Sequence, residues 1–219
     1  MTPKRIRFYH VPKSGGTAIY NMTKKWKNFK RAHPNKNHIQ IYKYPPGLDE
    51  IGLTIIRHPY SRFISAFYHM VDSCNQQFYY RFAAKSDCEE LKKMGIDFNE
   101  TFQQNPNYFL EALVNYNHIH HKDAKKIFNH FSIFKSQFYW LGDVFGFGIH
   151  PAIKIILHQE NLKHEFDHIA SQLGEYPIWP VGNQANQRLT KDNVMLSSAS
   201  KKAIQKLYKD DFKHFKFEI

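Results

Sequence analysis

The stretch FYHVPKSGGTAIYNM, residues 8 to 22, gathers a lysine, two hydroxyls and a glycine pair into the six residues PKSGGT. Lys13 offers a cation and Ser14 and Thr17 offer hydroxyl donors. Gly15 and Gly16 let the backbone turn tightly, so that its N–H groups point at a ligand. If a helix starts there, its first amides have no intrahelical acceptor and its dipole draws an anion toward them. The chemistry on offer is phosphate binding, although such a turn also occurs as a purely structural element. A Walker loop reads G-x-x-x-x-G-K-[ST], with lysine after the second glycine and a hydroxyl holding magnesium. Here Lys13 precedes the glycines and Thr17 follows Gly16 directly. The pattern is that of a different phosphate-bearing partner.

A second motif, TIIRHPYSRFISAFYH, puts Arg57 at the end of an apolar run and Ser65 eight residues later, two turns into a following helix. Arginine grips a phosphate with a forked, charge-assisted contact, and a serine hydroxyl adds a donor. Arg62, inside the same motif, reads as a residue pairing on the helix surface. Among 14 histidines, His118 and His120 of NHIHH tempt a metal assignment. No carboxylate or cysteine stands at ligand spacing within that run, so no metal site is expected.

These side chains need elements to hold them. Ile6, Phe8 and Val11 fit a buried first strand, and TAIYNMTKKWKNF carries helical spacing through Ile19, Met22 and Trp26. Residues 30 to 50 are polar and predict mostly loop, with a short extended piece at HIQIY. IGLTII predicts a second buried strand that runs into a helix opening at Pro59, with Phe63, Ala66, Phe67 and Met70 on its apolar face. Residues 72 to 134 look mainly helical, with turn signals at Gly95 and NPN. FYWLGD and IKIIL are further strand candidates, ENLKHEFDHIASQLG is an amphipathic helix ended by Gly174, and Ser197 or Ser198 caps a last helix. Strands alternating with helices imply an α/β fold of P-loop type: three layers, with a mostly parallel central sheet flanked by helices and the ligand at the carboxyl ends of its strands. At 219 residues, with no Pro, Gly or Ser run dividing it, the chain reads as one domain over 1–219.

A hydrophobic fraction of 42% excludes a disordered chain, and a formal charge of +12 favours an anionic partner without choosing among nucleotide, acidic glycan, nucleic acid and membrane surface. There is no run of about 18 apolar residues and no apolar signal-peptide core after MTPKR. The expectation is a soluble chain without a membrane span, cytoplasmic unless an anchor has been trimmed. Cys74 and Cys88 read as two free thiols, with a single disulfide between them as the alternative.

PKSGGT after a first strand, followed by IIRHPYSRFISAF, resembles the sulfotransferases that use 3′-phosphoadenosine 5′-phosphosulfate (PAPS) and release 3′-phosphoadenosine 5′-phosphate (PAP). IKIILHQENLKHEFDHIASQLG and SSASKKAIQKLYKDDFKHF are similar to that family's later strand–helix and C-terminal helix. The resemblance is closest to the carbohydrate, heparan sulfate 2-O-sulfotransferase-like type, although His58 stands where those enzymes commonly have Asp. It implies that Lys13, Ser14, Gly15, Gly16 and Thr17 bind the 5′-phosphosulfate, and that Arg57 and Ser65 bind the 3′-phosphate. Lys13 also meets the bridging oxygen of the leaving group, the loop from Val181 to Thr190 closes over the nucleotide, and no metal is required. It also implies a general base within NHIQIYKY, His38, with His33 as runner-up. The acceptor is then a hydroxyl-bearing molecule of glycan type, compatible with an anionic one. Two other classes remain open on the residues. One is a P-loop kinase with a degenerate loop, which needs ATP, magnesium and an acid such as Asp143. The other is an inactive basic protein that binds glycan or, less in keeping with the sequence, nucleic acid, with a steep salt dependence.

Overall fold

In the computed structural model, which describes residues 5–33, 38–74, 82–179 and 194–219, the elements run as follows: β1 (Arg5–Tyr9), α1 (Gly16–Thr23), β2 (Phe29–Arg31), β3 (Glu50–Ile56), α2 (Pro59–Cys74), α3 (Phe82–Lys93), α4 (Phe98–Thr101), α5 (Pro106–Val114), α6 (His121–His130), α7 (Gln137–Leu141), β4 (Ile153–His158), α8 (Leu162–Gln172), α9 (Ser198–Leu207) and α10 (Lys209–Phe215). The four strands form one parallel sheet in the order β2-β1-β3-β4. Fold class is as the sequence implies: α/β with a parallel central sheet.

The chain divides into two compact units, the first formed by Met1–His58, Ser136–Gln184 and Lys213–Phe217. Alternation along the strands builds its core. Ile6, Phe8, Leu53, Ile55 and Leu157 point to one face, where they meet Ile19 of α1 and Leu162 and Phe166 of α8. Tyr9, Ile56 and Ile153 belong to a second cluster with Trp140 and Leu141 of α7 and with Phe215. The sheet is therefore buried on both sides, as parallel sheets require. Thr54 Oγ1 donates to the Tyr9 carbonyl at 2.9 Å within this interior, tying β1 to β3 near their carboxyl ends. Arg7 pairs with Glu50 beneath it and donates to the Ala32 carbonyl at 3.0 Å.

Two expectations are corrected here. FYWLGD is not a strand: Gln137, Trp140 and Leu141 are buried at helical i, i+3, i+4 spacing, and the Ser136 side chain caps α7 by accepting from the Tyr139 N–H. HIQIY forms no strand: Gln40 is extended, but Ile41–Lys43 make a 3₁₀ turn, and the strand of this region is the three-residue β2.

The second unit comprises Pro59–Lys135, Ala185–Phe212 and Glu218–Ile219. Phe63, Ala66, Phe67 and Met70 of α2 are all buried, and Phe67, Phe98, Phe102 and Phe109 make a close aromatic cluster. Asp97, Asn105 and Ser197 cap α4, α5 and α9. Cys74 and Cys88 are thiols, and burial together with the neighbouring Cys88 group pushes the Cys74 pKa upward. Arg62 departs from expectation. It is 1% exposed, donates to the Ile133 carbonyl at 3.2 Å and to the Lys135 carbonyl at 2.5 Å, and stands 5.3 Å from the centre of the Tyr208 ring. Its guanidinium satisfies carbonyls in the loop before α7, a structural role that a surface arginine lacks. Arg62→Ala leaves those buried acceptors unmet and is expected to cost about 3 kcal/mol of stability, measured by urea unfolding. A loss below about 0.5 kcal/mol would return Arg62 to the surface class.

Candidate active site

The first unit places β1 and β3 side by side, with β2 and β4 outside them. The chain thus leaves β1 toward one edge and β3 toward the other, and at such a switch the carboxyl ends open a crevice. Lys13 follows β1 and Arg57 follows β3, so both cations are delivered to the same end of the sheet.

The turn after β1 is tight. Lys13 has φ 65° and Gly15 φ 89°, both left-handed, and a non-glycine residue held there costs of order 1 kcal/mol. Gly15 is the N-cap of α1 and makes no side-chain cap, so the amides of Gly16 and Thr17 open the helix without an intrahelical acceptor. Gly16 is required for a second reason: a Cβ there would stand 2.2 Å from Cδ2 of His10. The His10 imidazole packs onto the turn through that missing side chain. Thr17 is exposed at the helix start, and Ser14 is fully buried with its hydroxyl 3.3 Å from Gln137 Oε1.

The His38 ring lies 4.5 Å from that of His10, and its Nδ1 is 2.9 Å from the His10 carbonyl oxygen. A carbonyl only accepts, so Nδ1 carries a proton, and the lone pair of neutral His38 sits on Nε2. Trp140 supports the same ring at 5.9 Å. His33, by contrast, packs edge-on against Tyr44 at 4.9 Å. The Arg57 Nη1 reaches back to 3.5 Å from the Lys13 carbonyl, so this side chain lies along the turn. Both backbone groups of Arg57 are held by Gln137: its N–H by Oε1 at 2.8 Å and its carbonyl by Nε2 at 2.9 Å.

Lys13, Gly15, Gly16, Thr17, Arg57 and His38 are thus carried by one unit, with Ser14 behind the turn. Ser65 lies in α2, half-buried, within the second unit. The Val181 to Thr190 loop lies outside the described residues. Asp143 spends its carboxylate on the turn it begins, accepting from the N–H groups of Phe145, Phe147 and Gly148 at 2.9 to 3.1 Å. His118 accepts from the His120 N–H through Nδ1 at 3.1 Å, and its ring packs against Tyr108. Among the described residues no group of three or more His, Cys, Asp or Glu is placed to hold a metal ion, and no helix is long and apolar enough to cross a membrane.

A family model described as the sulfotransferase family matches residues 2–218. The chain belongs to the sulfotransferase family. No curated protein and no solved structure matches it. The match covers nearly the whole sulfotransferase chain, and the four-stranded parallel sheet agrees with the P-loop-like fold of that family.

Three residues of this candidate site are not singled out by sequence alone. His10 carries the one available signal, a polar ring in an apolar run three residues before Lys13. Gln137 and Trp140 carry none, because they sit in an aromatic run that reads as a strand. Burial, with help from the His38, Arg31 and Lys13 charges, drives the His10 pKa down to about 3. The folded chain keeps His10 neutral, whereas an unfolded chain takes up that proton near pH 6.5. Stability is therefore complete above about pH 6.5 and is lost as pH falls toward 3. Within that window the parent is expected to lose up to about 1.4 kcal/mol per pH unit from this group, and His10→Phe to lose none of it. Urea midpoints of both proteins at neutral and acidic pH measure the difference; identical acid losses would refute the assignment.

Proposed function

We propose that this sulfotransferase moves the sulfuryl group of PAPS to a carbohydrate hydroxyl, in the manner of heparan sulfate 2-O-sulfotransferase-like enzymes. The observation that carries the reading is the convergence, at one end of β1 and β3, of an open helix N-terminus, two cations and a histidine whose tautomer leaves Nε2 basic. The amides of Gly16 and Thr17, the Thr17 hydroxyl and the Lys13 ammonium suit the 5′-phosphosulfate, with Gly15 and Ser14 shaping the turn. Arg57 suits the 3′-phosphate. PAPS supplies an activated sulfuryl group; the protein supplies alignment and charge.

In this scheme His38 Nε2 takes the proton of the acceptor hydroxyl as that oxygen bonds to sulfur. The bond from sulfur to the bridging oxygen breaks in line, and Lys13 neutralises the charge left on the departing phosphate. The step needs no metal. Asp143, the acid that a magnesium-dependent kinase would call on, is occupied by backbone amides.

The formal charge of +12 suits an anionic glycan as acceptor. Along the β2 edge of the sheet, a basic cavity of about 420 Å³ is lined by Arg7, Tyr20, Lys24, Lys30, Arg31 and Tyr44, among others. Arg31 lies 3.0 Å above the centre of the Tyr20 ring, and its charge acts on His10. Arg7 is balanced by Glu50, so the net positive field comes from Arg31 and the two lysines.

Calorimetric titration with PAP and with ATP, each in EDTA and in excess magnesium, tests the donor. The expected result is micromolar PAP binding indifferent to magnesium, with ATP weak; magnesium-dependent ATP binding with PAP weak would replace this function by a kinase. Arg57→Ala is expected to weaken PAP by about 10-fold or more, since it removes a charge-assisted contact. His38→Ala is expected to keep PAP affinity and lower turnover by about 10²-fold or more, measured by sulfate transfer to a glycan panel. Unchanged turnover would remove His38 from the base role.

A further inference from the structure

Gln137 is fully buried, and all three hydrogen bonds described for its carboxamide go to protein groups of the first unit. Two of them fix its orientation. Oε1 accepts from the Arg57 N–H, and Nε2 donates to the Arg57 carbonyl, because neither backbone group can do the reverse. The Ser14 hydroxyl at 3.3 Å must then donate its single proton to Oε1. One amide therefore joins the residue that follows β3 to the turn that follows β1, across 80 and 123 residues of sequence. It stands at the first residue of α7, and the same short helix carries Trp140 against His38.

We propose that Gln137 is a positioning residue that couples the Ser14 turn to Arg57, so that the two ends of the nucleotide are gripped as one preorganised unit. The inference rests on the donor assignment made above. Its physical basis is the shared acceptor: Oε1 serves both partners in a site closed to water, so a shift of either one costs the other a bond that solvent cannot replace. Anion-binding amides act best when their geometry is set before the ligand arrives. Ser14 acts from behind the turn as one end of this brace, and Gln137 acts through Ser14 and Arg57.

The test separates coupling from ordinary stability. PAP and 5′-AMP differ by the 3′-phosphate, so the ratio of their affinities reports how well Arg57 engages that group. Gln137→Met, which keeps bulk and loses the bonds to Ser14 and Arg57, is expected to lower the PAP to 5′-AMP ratio by about fivefold or more. Ser14→Ala, a change at the other end of the ligand, is expected to lower the same ratio, and to have no further effect in the Gln137→Met background. A purely structural Gln137 would lower both affinities by the same factor, leaving the ratio within twofold, and that outcome overturns the proposal. Should Gln137→Met fail to fold, Ser14→Ala removes one bond of the same amide and gives the same readout. A parent protein that does not bind PAP sinks the donor assignment and the coupling with it. A parent that binds PAP while every variant keeps the ratio sinks the coupling alone.

Discussion

The parallel pairing of β1 with β3, in register from Arg5–Glu50 to Tyr9–Thr54, is the constraint on which the site depends. It brings the two strand ends level, so the PKSGGT turn and Arg57 emerge beside each other although they are far apart in sequence. The pairing is held from several directions. Ile6, Phe8, Leu53 and Ile55 bury one face, Thr54 bonds to Tyr9, and Arg7 meets Glu50 near the opposite end. Loss of register by one residue would turn each of these side chains to the wrong face. The apolar side chains that fix the register thus also fix the distance between two cations.

Around those cations the molecule uses small side chains and dry hydrogen bonds. Gly16 makes room for His10, and His10 supplies both a ring against the turn and a carbonyl that sets the His38 tautomer. Because His10 stays neutral, it adds no charge to a crevice already lined with cations. Lys13 keeps a left-handed backbone that most side chains avoid, and such strain persists where the surroundings over-determine it. Here the surroundings are the fully buried Ser14 on one side and the helix start on the other.

The turn between β1 and α1, the three longer stretches of sheet and the α2 face are legible in the sequence because each follows a local rule. Strands β1, β3 and β4 are apolar runs bounded by turns, and α2 begins at a proline and repeats its apolar residues at helical spacing. What is not legible depends on partners distant in sequence. FKR, which forms β2, has no alternation to read and becomes a strand only because β1 offers it an edge. Helix α7 is too short for periodicity to declare itself, and its aromatic residues suit a strand as well. Arg62 looks like any surface arginine until the carbonyls of Ile133 and Lys135, some seventy residues on, close over it. Gln137 is the extreme case: an uncharged side chain in an aromatic run, whose importance lies wholly in what it meets.

The same hydrogen bonds join pieces that leave the ribosome at different times. PKSGGT and Arg57 are made early, but the carboxamide that joins them arrives 80 residues after Arg57, once the whole run from Pro59 to Lys135 has been synthesised. The fourth strand comes later still and pairs with β3 across that insertion. Contacts of such long sequence separation form late, since the intervening chain must be closed into a loop before they repay its entropy. The two motifs most easily recognised in the sequence are therefore the first to be translated and among the last to be assembled.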